Sequence, residues 1–186
     1  MIKPSEILYF WFQENSQEQW FGKTSEFDEE IRRRYLEITY KARRGDLEHW
    51  SQSPDSTLAL IILIDQFSRN LFRNSPMSWS ADPYCLEITK QALTMHYDDF
   101  LNNYQRAFMY LPLMHSESLE DQDRCVELVK KTLDNGIDFN KDNYNAAVRH
   151  RYIIARFGRF PHRNEVLGRN STPEEIEFLK EPNSSF

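Results

Sequence analysis

The chain is poor in glycine and has no long hydrophobic run. Five glycines in 186 residues leave few of the turns that a many-stranded sheet requires. The longest strongly apolar run covers seven residues, 58–64, whereas a helix needs roughly 20 apolar residues to cross a bilayer. We therefore expect neither a β-sheet fold nor a membrane-spanning segment.

Cysteine is also scarce, and the sequence carries no export signal that we can identify. Cys85 and Cys125 stand alone, without the paired spacing of a metal site. We interpret both as buried free thiols in a reducing compartment. The first six residues, MIKPSE, lack the basic, apolar and small-residue regions of a secretory signal. We therefore expect a cytoplasmic protein.

The composition is that of a folded helical domain. Hydrophobic residues make up 40% of the chain and aromatic residues 14%, which argues against disorder. Apolar residues recur at spacings of three and four, the period of an α-helix. We predict a single all-α domain comprising residues 1–186.

Local start and stop signals give approximate helix boundaries. Gly45 can close one helix, Pro112 can stop or kink another, and Thr172 followed by proline is a strong N-cap signal. The predicted helices cover about residues 27–42, 56–72, 83–96, 104–111, 118–135, 142–157 and 174–180. The fifth of these is predicted to end at Asn135-Gly136.

Arginine is concentrated in one stretch of an acidic chain. Residues 149–169 contain six arginines, no lysine and one acid, Glu165, which gives this stretch a charge of +5. Because the net charge of the chain is −6, the remaining residues together carry −11. The planar guanidinium donates paired hydrogen bonds to carboxylate or phosphate oxygens, as lysine does not. This choice predicts directional contacts with anions. The net negative charge argues against general nucleic-acid binding.

A polar step follows the most apolar helix. Asp65 comes directly after the apolar run, and Arg69 lies four residues further on, where it can neutralise a buried carboxylate. Gln66 and Asn70 form a parallel row. These residues could face a ligand, or they could tie helices together through an internal ion pair.

A second polar group surrounds Pro112 and consists of Arg106, Tyr110, His115, Ser116 and Glu117. A carboxylate near a histidine can orient its ring for proton transfer. His115 and Glu117 are therefore candidate catalytic residues. Alternatively, Ser116 caps the next helix and Glu117 favours the dipole at its N-terminus.

The arginine-rich segment is our best site candidate. Beyond Gly158, an irregular loop carries Arg159, His162 and Arg163, and Arg156 lies on the border of the preceding helix. These arginines, together with Asp65, Arg69 and Arg106, are the candidate ligand-binding residues. We expect His150, on the apolar stripe of that helix, to be an ordinary core histidine.

Motifs for metals and cofactors are missing from the sequence. There is no HExxH or CxxC spacing, no glycine-rich phosphate loop and no glycine-flanked nucleophilic serine. We therefore expect no metal site and no cofactor. If the protein is catalytic, the candidate residues are His115, Glu117 and His162.

Several blocks of this sequence resemble those of one family. They are Phe10-Trp11-Phe12, Trp20-Phe21, Asp65-Gln66-Phe67-Ser68-Arg69-Asn70, Tyr110-Leu111-Pro112, His115-Ser116-Glu117, residues 156–164 and Leu167-Gly168-Arg169. The family is the uncharacterised, mainly bacterial group catalogued as domain of unknown function 924. In place of the proline expected at one position, this chain has Ser68. The resemblance implies a tetratricopeptide-like array of antiparallel helices, and it supplies no reaction, cofactor or catalytic residue.

Three hypotheses about function follow. In the first, Arg156, Arg159 and Arg163 clamp a small anionic ligand. Asp65 and Glu117 orient these arginines, and His115 or His162 transfers a proton. In the second, the helical array docks an acidic peptide in a groove lined by the same arginines. In the third, the polar blocks are only an internal ion-pair network. The sequence does not set the oligomeric state.

Overall fold

In a computed structural model, residues 2–22, 24–133 and 138–185 are described, and they form helices without a strand. The α-helices are α1 Pro4–Tyr9, α2 Gln17–Phe21, α3 Ser25–Arg43, α4 Pro54–Ile64, α5 Gln66–Leu71, α6 Asp82–Thr94, α7 Asn103–Met114, α8 Leu119–Lys130, α9 Asp138–Phe157 and α10 Pro173–Phe178. A π-helical turn, Phe10–Glu14, and 3-10 turns at Glu48–Gln52, Pro76–Ser78, Tyr97–Phe100 and Pro161–Arg163 connect them. The predicted all-α class is confirmed.

Helix α4 lies at the centre of the main core. Residues 57–64 of this helix are all buried, as expected of a helix that is apolar on every side. It packs against α1, α3, α6 and α7. Helix α3 presents a single buried face, from Phe27 to Ala42, and ends before Gly45, whose φ of 84° suits a glycine cap. Among the described residues no helix is long and apolar enough to span a bilayer.

The predicted continuous helix over residues 56–72 is wrong, because the chain breaks it into α4 and α5 at Asp65. Asp65 has φ −85° and ψ −63°, and its carbonyl oxygen accepts a hydrogen bond from the Arg69 guanidinium at 2.8 Å. The Arg69 side chain therefore donates to a backbone carbonyl at the point where the helix breaks. The break leaves the Asp65 carboxylate buried beside the start of α5.

Pro112 was predicted to stop or kink its helix, and the helix does not stop there. Helix α7 continues through Pro112 to Met114, although proline lacks the N–H that the interior of a helix uses. Every residue from Ala107 to Met114 is buried, so packing along this segment offsets the missing hydrogen bond. The extension places His115 directly at the C-terminal end of α7.

The arginine-rich segment joins α9 to a small second core. The predicted helix end at Asn135-Gly136 lies outside the described residues, and α9 begins at Asp138. Gly158, with φ 70°, turns the chain after α9. The second core contains Ile153, Ile154, Phe160 and Phe178, with Phe178 supplied by α10. A tetratricopeptide-like repeat of these helices remains a prediction.

Candidate functional site

A cavity of about 820 Å³ opens between α2, α5, the end of α7, α9 and the turn at Pro161–Arg163. Its basic and histidine side chains are Arg69, Arg73, Arg163, His115, His150 and His162. Its aromatic side chains are Trp20, Phe21, Trp79 and Phe139. Two carboxylate residues, Glu18 and Asp142, also line the cavity. The cavity therefore combines arginine, histidine and carboxylate side chains with aromatic surface. Of the residues predicted to bind a ligand or transfer a proton, it contains Arg69, Arg163, His115 and His162.

Asp65 lies in the wall behind this cavity and organises three side chains. Its Oδ1 is 2.8 Å from His115 Nδ1 and 3.1 Å from Arg69 Nη1, and its Oδ2 accepts a hydrogen bond from Gln66 Nε2 at 2.5 Å. Burial by itself raises the pKa of Asp65, but Arg69 and His115 outweigh it and hold the pKa well below its usual range. Asp65 is thus an ionised carboxylate with its partners in place.

His115 is held by this carboxylate at the cavity surface. Burial, and then the charge of Arg69, lowers its pKa, while Asp65 opposes the shift. The ring is therefore neutral at neutral pH. Because an ionised carboxylate can only accept, the Nδ1–H donates to Asp65 and Nε2 carries the lone pair. Nε2 makes no hydrogen bond within the part of the chain that is described.

Two of the three cavity arginines have carboxylate partners of their own. Arg69 contacts both Asp65 and Asp82, with Nη2 3.0 Å from Asp82 Oδ2. Arg73 Nη2 donates to Asp28 Oδ1 at 2.8 Å. Their positive charges are therefore largely compensated inside the protein.

Arg163 is different, because no carboxylate of residues 2–22, 24–133 or 139–185 lies within 4.0 Å of it. Only 7% of its surface is exposed, and its Nε has no hydrogen-bond acceptor among those residues. The guanidinium carbon lies 4.4 Å from the ring centroid of Phe160 and 5.6 Å from that of Trp79. Burial, followed by the charge of Arg69, lowers the pKa of Arg163 to about 10, so the group stays positive at neutral pH.

The other five arginines of residues 149–169 each face a carboxylate of the same chain. The pairs are Arg149–Glu181, Arg151–Asp123, Arg156–Glu174, Arg159–Glu175 and Arg169–Glu117. Arg159 grips Glu175 with both Nε and Nη2, at 2.7 and 2.8 Å. The predicted three-arginine clamp is therefore not assembled: Arg163 lines the cavity, whereas Arg156 and Arg159 do not.

Glu117 was predicted to orient the arginines of the clamp, but it pairs with Arg169 instead. Its two oxygens accept hydrogen bonds from Arg169 at 2.7 and 3.0 Å, and Oε1 also accepts the Phe160 backbone N–H at 2.9 Å. Glu117 is not part of the cavity lining. It ties the loop after α7 to the loop after α9, and this tether holds the turn that carries Arg163.

Arg106 lies apart from the main cavity, so its grouping with His115 in one site is wrong. Its Nε donates to the Asp98 carbonyl at 2.8 Å, and it lines a separate cavity of about 370 Å³. Tyr110 borders the same small cavity and donates to Asp98 Oδ2 at 2.8 Å. Because α7 remains helical, Arg106 is more than two helical turns away from His115 along the chain.

Sequence reasoning missed Arg73, Trp79 and Asn143 as cavity residues. Asn143 lines the cavity, and its buried amide nitrogen has no hydrogen-bond partner in the described part of the chain. It lies on the same face of α9 as Ala146 and His150, at spacings of three and seven residues, so helical periodicity could have found it. His150, predicted as an ordinary core histidine, is buried, and its Nδ1 donates to the Ala146 carbonyl at 2.8 Å, but it also lines the cavity.

Comparisons with known proteins agree with this architecture. The sequence profile of a family described as "Bacterial protein of unknown function (DUF924)" matches residues 7–183. The chain is similar to the solved structure of a protein of unknown function, ATU0120, from Agrobacterium tumefaciens, with 34% identity and a TM-score of 0.87. That match covers 95% of this chain and 96% of the other. No curated protein matches the chain.

Proposed function

Because the chain belongs to the DUF924 family of bacterial proteins of unknown function, which names no reaction, we propose a function from the cavity itself. The protein binds a small organic anion there, and Arg163 is the main contact for the negative charge. The proposal keeps the anionic ligand expected from the sequence. It replaces the three-arginine clamp by one buried arginine.

The observation that carries this proposal is the isolation of Arg163. Burying a charge costs several kcal/mol unless the charge is paired and hydrogen-bonded. Among the described residues, the Arg163 guanidinium contacts aromatic rings but no carboxylate. Cation–π contacts offset only about 0.5–2 kcal/mol of such a cost. A bound anion would supply the missing partner, whereas an internal network explains only the five paired arginines.

The rest of the cavity fits an organic rather than an inorganic anion. Its volume, about 820 Å³, lies within the roughly 300–1,000 Å³ typical of small-molecule sites. Trp79 and Phe139 offer apolar surface. The ligand class that matches is a carboxylate or phosphate attached to a ring or another apolar group.

The alternative of an acidic peptide bound in an arginine-lined groove has less support. Such a groove needs several cations presented together to solvent. Arg156 and Arg159 already hold Glu174 and Glu175, and Arg163 is buried inside the cavity. A small molecule that enters the cavity can reach Arg163 more readily than a folded partner can.

A thermal-shift panel tests the proposal. The probes are inorganic phosphate, citrate, benzoate, phenyl phosphate and AMP, measured on the native protein, Arg163→Met and Arg151→Met. Arg151 is the control, since it pairs with Asp123 and does not line the cavity. A ligand at 100 times its Kd stabilises the folded state by about 2.7 kcal/mol.

The expected result is a rise in Tm with phenyl phosphate or benzoate in the native protein and in Arg151→Met, and its loss in Arg163→Met. An equal rise in all three proteins would contradict the role of Arg163. The absence of a shift with every probe would contradict anion binding in the cavity.

A further inference from the structure

We infer that the cavity also performs a reaction, the hydrolysis of an ester of an anionic compound, with His115 as the general base that activates water. This inference rests on the proposed anion-binding function. It adds a reaction class and a role for the Asp65–His115 pair, which anion binding alone does not require.

The first argument is the fixed state of the His115 ring. Asp65 accepts from Nδ1 at 2.8 Å, and Asp65 is itself held by Arg69 and Gln66. The partner therefore sets both the tautomer and the orientation of the imidazole, as in catalytic histidine–carboxylate pairs. The ring lines the cavity, and its side chain is 14% exposed. A neutral imidazole with its Nε2 lone pair available to the cavity is a general base.

The second argument is that no described serine or cysteine side chain is hydrogen-bonded to His115. The hydroxyl of Ser78 donates to the Phe72 carbonyl, and both Cys85 and Cys125 are buried away from the cavity lining. Ser185 lies on an exposed stretch of chain. No hydrogen bond joins the His115 ring to a serine hydroxyl or a cysteine thiol in the part of the chain that is described, so the base acts on water.

The third argument concerns the strength of the base. His115 has a pKa below its ordinary value, which makes it a weak base, poorly matched to a proton on carbon. The lowered pKa nevertheless leaves the ring unprotonated at neutral pH, so it can accept a proton from an attacking water. An ester is the matching substrate, since its carbonyl carbon accepts the water oxygen without a metal or another reactant.

The proposed step balances with water alone. His115 Nε2 takes one proton from water as the water oxygen forms a bond to the carbonyl carbon, and the carbonyl oxygen becomes an oxyanion. The carbon–oxygen bond to the alcohol then breaks, and the proton on Nε2 passes to the leaving oxygen. Arg163 holds the anionic group of the substrate throughout.

The test uses 4-acetoxybenzoate, an anionic aromatic ester, and phenyl acetate, its analogue without the carboxylate. Hydrolysis is followed by ultraviolet absorbance with the native protein, His115→Asn, Arg163→Met and, as a control, His96→Asn. His96 is an exposed histidine with φ 55°, a conformation that asparagine tolerates. Binding of each variant is measured separately by thermal shift with benzoate.

The expected result is that His115→Asn lowers kcat by about 10²–10⁴-fold and leaves the benzoate shift intact, while His96→Asn changes neither. Arg163→Met should raise KM for 4-acetoxybenzoate and leave phenyl acetate unaffected. The rate should also fall on the acid side as His115 becomes protonated, which a purely structural role for His115 does not predict. A native protein no faster than buffer, or full activity in His115→Asn, would overturn the catalytic inference, while the separate benzoate measurement still decides anion binding.

Discussion

The buried charge of Arg163 destabilises the folded protein, although the proposed function requires it to bind the anion. A buried cation without a carboxylate destabilises the folded state, so its conservative removal should not harm the fold. We expect Arg163→Met to leave the free energy of unfolding unchanged or to raise it by up to about 2 kcal/mol, measured by urea denaturation without ligand.

In the same experiment Arg159→Met should lower the free energy of unfolding, because Glu175, whose side chain is 2% exposed, loses its main partner.

A marked loss of stability in Arg163→Met would contradict this reasoning. It would mean that the arginine is a structural element of the second core, where its guanidinium packs against Phe160. The cavity would then need no anion to explain the residue.

Substitution of Asp65, unlike that of Arg163, should lower the free energy of unfolding. Its carboxylate compensates Arg69 and orients His115, and breaking a buried pair by removing one partner typically costs about 3–5 kcal/mol. We expect a loss of this size in Asp65→Asn, read from urea denaturation at neutral pH. A loss below about 1 kcal/mol would show that Arg69 is adequately served by Asp82 alone.

Buried histidines predict how stability depends on pH. Burial, and then the neighbouring His115, lowers the pKa of His150 to about 3, whereas an unfolded histidine titrates near 6.5. Between these values the unfolded chain binds a proton that the folded chain does not. The free energy of unfolding should therefore fall as the pH drops below about 6.5, by at most about 1.4 kcal/mol per pH unit for this group.

Urea denaturation at a series of pH values checks this expectation against His150→Gln. The variant should show a shallower fall between about pH 6.5 and pH 4. Part of the fall should remain, because the pKa of His115 is lowered as well. Parallel curves for the two proteins would show that His150 is not kept neutral by the fold.

Among the helices, α10 offers a clean test of a capping signal. Thr172 Oγ1 accepts the Glu175 N–H at 3.2 Å, and Glu175 Oε2 accepts the Thr172 N–H at 2.7 Å, which completes a capping box. Thr172→Ala should cost about 1 kcal/mol in urea denaturation. Ser118→Ala is the control, since Ser118 occupies an N-cap position without a side-chain capping bond. Equal losses in the two variants would contradict a specific capping effect.

Helix positions could be predicted where the signal is local. Gly45, Pro83 and the Thr172 cap mark boundaries that the structure places within a few residues of the predictions. Helices α1 and α2 were not among the predicted helices. The errors at Asp65 and Pro112 arise where tertiary contacts override local preference. Arg69 occupies a backbone carbonyl in the first case, and packing of a buried segment sustains the helix in the second.

In the folded chain as a whole, the site was only partly predictable. The Asp65–Arg69 pair follows from a spacing of four residues, which brings the two side chains together although the helix breaks at Asp65. The contact of His115 with Asp65 joins residues 50 positions apart, and the pairing of Arg169 with Glu117 joins residues 52 apart. Which arginine lacks a carboxylate depends on such contacts, so one sequence cannot single out Arg163 from its five neighbours.

The cavity depends on the same long-range assembly. Glu117 and Arg169 fix the loop after α9 to the end of α7, and Asp65 fixes the end of α7 to α5. Two polar links thus hold His115 and Arg163 at one cavity. We propose that the paired arginines stabilise the fold around the cavity and that Arg163 binds the ligand.

The most direct test is the arginine Nε–H region of the nitrogen–proton NMR spectrum, recorded while phenyl phosphate or benzoate is added. We predict that one Nε–H signal, missing from the spectrum of Arg163→Met, shifts downfield and exchanges more slowly with solvent as the anion binds. If that signal stays in place while the anion demonstrably binds, Arg163 does not contact the ligand, and the proposed site is wrong.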